Sequence, residues 1–175
     1  MISDTPKQSN LIFLIGFMGC GKTTLAKKLA NRLGYHFIDL DHVLENQVDM
    51  SIADYFALHG ETKFRELESQ VLKQTEYPQN AIVSTGGGLP CFFDHMNWMN
   101  SHGQTLYISL APKALAARLD NGKSTRPVLQ GKHGDELIEF IEQKLAEREP
   151  FYNRATITIN GLGINLEELA EMLLT

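Results

Sequence analysis

Gly16-Phe17-Met18-Gly19-Cys20-Gly21-Lys22-Thr23 stands directly after the apolar run LIFLI at residues 11–15 and directly before TLAKKLANRL at residues 24–33. It fits the G-x-x-x-x-G-K-[ST] phosphate-binding loop in the strand–loop–helix setting that gives the pattern its meaning. Glycines let the backbone wrap a phosphate, and successive N–H groups point inward at the N-terminus of the following helix. Lys22 then reaches the β- and γ-phosphates of a nucleoside triphosphate, and the Thr23 hydroxyl is placed to ligate Mg²⁺. The expected nucleotide contacts are Gly19, Cys20, Gly21, Lys22, Thr23 and Thr24. The Cys20 thiol reads either as a group of lowered pKa at a helix N-terminus or as a small filler of the loop. A loop of this kind does not by itself separate kinases from ATPases, GTPases or regulators.

Outward from it, short apolar runs at residues 37–39, 81–84, 105–110 and 156–159 repeat the strand-like character of 11–15. Helical stretches lie between them. Leu25, Ala26, Leu29, Ala30 and Leu33 form an amphipathic stripe closed by Gly34. Phe56, Leu67, Val71 and Leu72 mark further helix, as do residues 112–119, 137–147 and 166–174. Apolar strands alternating with helices predict an α/β fold with a mostly parallel sheet covered on both faces. Residues 120–135 break the pattern, being polar, glycine-containing and basic through Lys123, Arg126 and Lys132. A loop of that length in a small domain is either functional or a solvated excursion.

The acceptor side is read from three further clusters. Phe37-Ile38-Asp39-Leu40-Asp41 ends a strand with two carboxylates, where open α/β sheets put their ligands. In extended chain the two share a face. One suits a magnesium-bound water and the other a proton from an acceptor hydroxyl, while Asp41 alone also reads as a helix N-cap. Phe64-Arg65-Glu66-Leu67-Glu68 places Arg65 and Glu68 three apart on a helix. By spacing they form a surface ion pair; alternatively Glu68 fixes the Arg65 fork to grip a carboxylate. Ser84-Thr85-Gly86-Gly87-Gly88 follows a strand, and three glycines in a row imply a sharp turn, a close approach to a ligand, or both.

With 175 residues, 43% hydrophobic and 21% charged, the chain is expected to form one soluble domain with a core of its own. The net charge of −5 excludes a bulk basic surface for nucleic acid, so any anion must be held by a local cluster. Two cysteines, Cys20 and Cys91, fit a reducing cytoplasm, and no apolar run approaches the ~20 residues of a membrane span. None of the six histidines pairs at metal-ligand spacing. Phe92, Phe93 and Trp98 read as packing around a helix, and Tyr152 and Arg154 lie shortly after Arg148, one of the arginines taken below for the carboxylate clamp. No apolar helix face is left over, so a monomer is expected.

In this order the elements resemble the shikimate kinases, a branch of the nucleoside-monophosphate-kinase-like P-loop fold. The resemblance runs from residue 11 to about 159 and takes in Arg126-Pro127-Val128-Leu129 and Arg148-Glu149-Pro150-Phe151-Tyr152. It implies a three-layer α/β fold, a five-stranded parallel sheet flanked by helices in a single domain over residues 1–175, with a mobile lid at about 120–135. The implied reaction moves the γ-phosphate of ATP to the 3-hydroxyl of shikimate, on the route to chorismate and the aromatic amino acids. By the same resemblance Asp41 binds that hydroxyl and acts as the base, and Asp39 helps Thr23 hold Mg²⁺ through water. Arg65 and Arg148 clamp the substrate carboxylate, and Gly86, Gly87 and Gly88 contact substrate through the backbone. Lys22 and Arg126 complete the catalytic set over the phosphates, and Arg118 lies against the adenine. The family often has an acidic residue and a proline after the last strand, where this chain reads Ile159-Asn160-Gly161-Leu162-Gly163-Ile164. The alternatives are a kinase of the same fold acting on another hydroxyl acid such as gluconate, and a P-loop binding module without turnover.

Overall fold

Leu11 to Ile15 are all buried, and they form most of the central strand β1 (Asn10–Ile15). The computed structural model describes residues 9–121, 129 and 131–175. Four more strands pair with β1 in one parallel sheet: β2 (His36–Asp39), β3 (Asn80–Ser84), β4 (Gln104–Ser109) and β5 (Ile157–Asn160), in the order β2-β3-β1-β4-β5. The inner strands β1, β3 and β4 are almost wholly buried, which is why apolar residues dominate them without strict alternation. The edge strands β2 and β5 are only half buried.

Helices cover the sheet, as expected from the alternation of patterns. They are α1 (Lys22–Leu33), α2 (Leu40–Val48), α3 (Ile52–Gln74), α4 (His95–His102), α5 (Pro112–Asp120), α6 (Gly134–Tyr152) and α7 (Leu166–Leu174), with a 3-10 turn at Leu89–Cys91. The stripe Leu25, Ala26, Leu29 and Ala30 seats α1 on the sheet, and Gly34, at φ +68, closes it by donating its N–H to Ala30 O. Helix α3 is broken at Gly60 (φ +79, ψ 174), a backbone state open to glycine. Phe13 is fully buried, with Tyr77 and Trp98 edge-on at 5.8 and 6.1 Å between ring centres. Trp98 is thus core packing, as its sequence context suggested. Among the described residues no helix is long and apolar enough to cross a membrane.

Register places the site. Asp39 stands beside Ser84 on β3, and Ser84 stands beside Leu14 on β1, so three strands end level with one another. After β3 the chain crosses β1 to lay down β4 on its other side, and such a switch point opens a ligand crevice at the strand C-termini. The expected lid falls partly on residues 122–128 and 130; Arg126 therefore lies outside the described residues.

Candidate active site

The loop leaving β1 is held by glycine geometry at Gly16 (φ +148), Gly19 (φ +82) and Gly21 (φ +98). Gly21 precedes α1 without a side-chain cap, so the first N–H groups of the helix have no side-chain acceptor and can take an anion. Lys22 is buried, and its Nζ donates to Gly16 O at 2.8 Å and Phe17 O at 3.1 Å. The Cys20 thiol is 2% accessible and packed against Gly16, where a Cβ would stand 2.8 Å from its sulfur. The side chain fills the loop beside Gly16, with its sulfur 3.8 Å from Lys22 Nζ. A cavity of about 260 Å³ lies over the loop, and Lys22, Thr23, Asp41, Ser84, Thr85 and Gly87 are on its wall.

The level strand ends gather oxygen ligands. Thr23 Oγ1 donates to Asp39 Oδ2 at 3.4 Å and lies 3.3 Å from Ser84 Oγ. Sequence patterns did not single out Ser84, yet it stands at the end of a strand just ahead of the glycine run, where such a hydroxyl is expected to face ligand. Asp39 also caps a helix, since its Oδ1 accepts from the backbone N–H of Asp41 at 3.0 Å and of His42 at 3.3 Å. The N-cap of α2 is therefore Asp39, not Asp41. β2 also ends at Asp39, so the two carboxylates do not share a strand face; Asp41 is carried by the first turn of α2. Asp41 lines the cavity.

Each of the three glycines after β3 makes room for a different functional group. A Cβ at Gly86 would stand 3.0 Å from Glu68 Oε2 and 3.1 Å from Asp41 Oδ1. At Gly87 it would stand 3.2 Å from Met18 N of the phosphate loop and 3.6 Å from Arg148 Nη1. At Gly88 it would meet Arg65 Nη1 and Nη2, both at 2.7 Å. None of the three has a positive φ, so close approach, not turn conformation, explains the run.

The Arg65–Glu68 pair is not on the surface, contrary to what spacing suggested. Arg65 Nη1 donates to Glu68 Oε1 at 2.6 Å, and the side chains are 12% and 3% accessible. Burial pushes the Glu68 carboxyl up to about 7, with Arg65 pulling it back and Asp41 adding to the rise. Arg148 sits on α6 in line with the buried Leu137, Ile141, Leu145 and Tyr152, so the helix aims it inward. Among the described residues its Nη1 and the Nε of Arg65 are buried without a hydrogen-bond partner, as donors kept for an anion would be. Arg65 and Arg148 do not line the cavity over the phosphate loop; they border the glycine run beside it.

Other assignments sort plainly. Tyr152 is fully buried and donates to Gly87 O, and burial pushes its phenol well above the usual range. Arg154 is exposed and donates to Asn97 Oδ1 on α4. Arg118 Nη1 donates to Cys20 O at 2.9 Å, and Nη2 lies 3.5 Å from Gly161 O. It thus ties the phosphate loop to the segment after β5. Phe92 is not helix packing: its ring centre is 4.1 Å from Arg65 Cζ, and Phe93 is 65% exposed. Phe56 and Phe64 meet at 5.6 Å across the Gly60 break beside Arg65, a pairing that the sequence signalled only through apolar spacing. Among the described residues no three His, Cys, Asp or Glu side chains cluster as a metal site.

A glycine loop and helix after the central strand, with an acid and a hydroxyl at the adjoining strand ends, define a P-loop nucleoside-triphosphate-binding protein. The family model described as shikimate kinase matches residues 18–175. A shikimate kinase of Parabacteroides distasonis is 46% identical over 150 residues, covering 86% of this chain and 87% of that protein. The crystal structure of a shikimate kinase from Bacteroides thetaiotaomicron superposes with a TM-score of 0.87 at 41% identity, covering 95% of this chain and 99% of that one. That of a shikimate kinase from Acinetobacter baumannii, in complex with shikimate, gives 0.82 at 29% identity over 96% and 92%. The chain belongs to the shikimate kinase family, and so is an ATP-dependent kinase acting on an alcohol.

Proposed function

We propose that this chain transfers the γ-phosphate of ATP to the 3-hydroxyl of shikimate, giving shikimate 3-phosphate and ADP. The observation that carries the assignment of residues is the glycine run, which brings Asp41, Arg148 and Arg65 to successive positions of one turn next to the phosphate loop. One carboxylate and two arginines suit an acceptor that offers an alcohol and a carboxylate. Gluconate offers the same two groups, so the choice of shikimate over it rests on the relatives, which are shikimate kinases; a module without turnover has no comparable support.

In this reading the phosphates of ATP lie on the N–H groups of the loop and of the α1 N-terminus, with Lys22 against the β- and γ-phosphates. Arg65 and Arg148 take the substrate carboxylate and so orient the ring. Asp41 accepts the proton of the attacking hydroxyl as its oxygen bonds to the γ-phosphorus. The bond from that phosphorus to the β–γ bridging oxygen breaks, and ADP leaves with the electron pair. Magnesium fits the hard oxygen set of Thr23, Ser84 and Asp39, and when bound it supplies positive charge to the phosphates. By the family resemblance Arg126, outside the described residues, adds a further positive charge over the phosphates. Arg118 holds the phosphate loop against the segment after β5 on the adenine side. The enzyme works as one domain and a monomer.

Arg65→Ala tests the assignment. It should raise the shikimate KM by an amount equivalent to about 1.5–3 kcal/mol while the ATP KM stays near wild type. Equal loss of affinity for both substrates would remove Arg65 from the acceptor site.

A further inference from the structure

The guanidinium of Arg65 is enclosed on three sides. Glu68 takes Nη1 at 2.6 Å, the backbone at Gly88 leaves no room even for a Cβ, and Phe64 and Phe92 present rings at 5.1 and 4.1 Å from Cζ. Of the two rings, that of Phe92 is the closer, and it is only half buried. A ring against a guanidinium restrains the plane of the fork without occupying any of its N–H donors. A hydrogen-bonding residue in the same place would use up a donor. Arg65 Nε, with Glu61 Oε1 at 3.6 Å and no hydrogen-bond partner among the described residues, is a donor left over in this arrangement.

The backbone beneath Phe92 is fastened to the same turn that borders the arginine. Leu89 N–H donates to Gly86 O at 3.2 Å and Cys91 N–H to Gly88 O at 3.0 Å. On the other side His95 N–H donates to Phe92 O at 3.3 Å, and the buried His95 ring places Nδ1 2.7 Å from Leu89 O. The next residue, Phe93, has φ +50, a left-handed state that a bulky side chain seldom takes. That conformation turns Phe93 out to solvent directly after the ring that faces the arginine. Strained backbone at a turn beside a binding group points to a requirement of the site.

We propose that Phe92 is a positioning residue for the acceptor site: its ring is the plate against which Arg65 is held flat, with its free donors aimed at the substrate carboxylate. The proposal rests on Arg65 being the carboxylate clamp. It extends the binding site to a residue that makes no polar contact, and it predicts an effect on one substrate only.

The test compares Phe92→Leu, which keeps apolar bulk but loses the aromatic face, with Phe92→Tyr, which keeps the face. Both are measured in the wild-type and Arg65→Ala backgrounds for kcat and for the KM of each substrate, with thermal unfolding as the check on folding. Phe92→Leu should raise the shikimate KM by about 2- to 30-fold, leaving kcat and the ATP KM near wild type. Phe92→Tyr should restore it, and in the Arg65→Ala background Phe92→Leu should add nothing. An unchanged shikimate KM in Phe92→Leu, a Tyr variant as impaired as the Leu variant, or an undiminished effect without Arg65 would each overturn the proposal while leaving the clamp in place. If Arg65→Ala itself leaves the shikimate KM unchanged, the clamp assignment fails and the proposal with it.

Discussion

Glu68 shows how burial turns an ordinary residue into a functional one. It follows Phe64 by four and precedes Val71 by three and Leu72 by four, all on the buried side of α3. An acid on an apolar stripe was the sign, visible in the sequence, that its pair with Arg65 is inside, and spacing alone could not reveal it. Because burial raises its folded pKa from 4.5 to about 7, the folded protein binds this proton more tightly than the unfolded chain. Its contribution to stability is therefore full below about pH 4.5 and is lost as pH rises through about 7. Urea unfolding across about pH 5–8 should show that decline in the wild type and lose this component in Glu68→Gln; an unchanged slope would contradict it. Asp41 is a different case: it stands in the first turn of α2, capped by Asp39, and lines the cavity. Asp41→Asn should depress kcat far more than the shikimate KM, typically by about 10²–10⁴-fold for loss of a general base. A rise in KM alone would make Asp41 a binding residue.

At the scale of elements, the glycine run after β3 is the feature on which the acceptor site turns. Its three positions were legible as special, but two reasons stood open, and only the neighbours of each Cβ position decide for close approach. Gly88→Ala places a methyl group 2.7 Å from the Arg65 guanidinium, so the arginine must move. The shikimate KM should rise by roughly 10- to 100-fold with the ATP KM unaltered, since a clamp displaced by an ångström loses its geometry. If both constants change together, the run supports the phosphate loop as much as the acceptor. The strands were legible because buried parallel strands are rich in apolar residues, and the observed ends differ from the sequence reading by a residue or so. Helix α3 was legible only in pieces, because Gly60 interrupts its period. The Phe92–Arg65 contact left no sequence signal at all: it joins α3 to the residue after a 3-10 turn, 27 positions further on.

For the whole molecule, a net charge of −5 coexists with a cluster of cations around one crevice. Lys22 lies at the phosphate loop, and Arg65 and Arg148, from α3 and α6, border the glycine run beside it, with Asp41 and Glu68 at the same run. Overall charge describes the surface, and anion binding answers to this local arrangement. Strand register and the crossing after β3 bring the contributing segments level, so the fold supplies the site's order before any side chain is placed. The family resemblance read from the sequence carries through to the fold and the family match, while the depth of each side chain needed the structure. The identity of the acceptor decides what this enzyme does. Release of ADP in a coupled assay, with shikimate, quinate, gluconate and nucleoside monophosphates offered in turn, measures it most directly. Turnover with shikimate well above the other acceptors is the predicted result; no turnover with shikimate, alongside turnover with another acceptor, would contradict it.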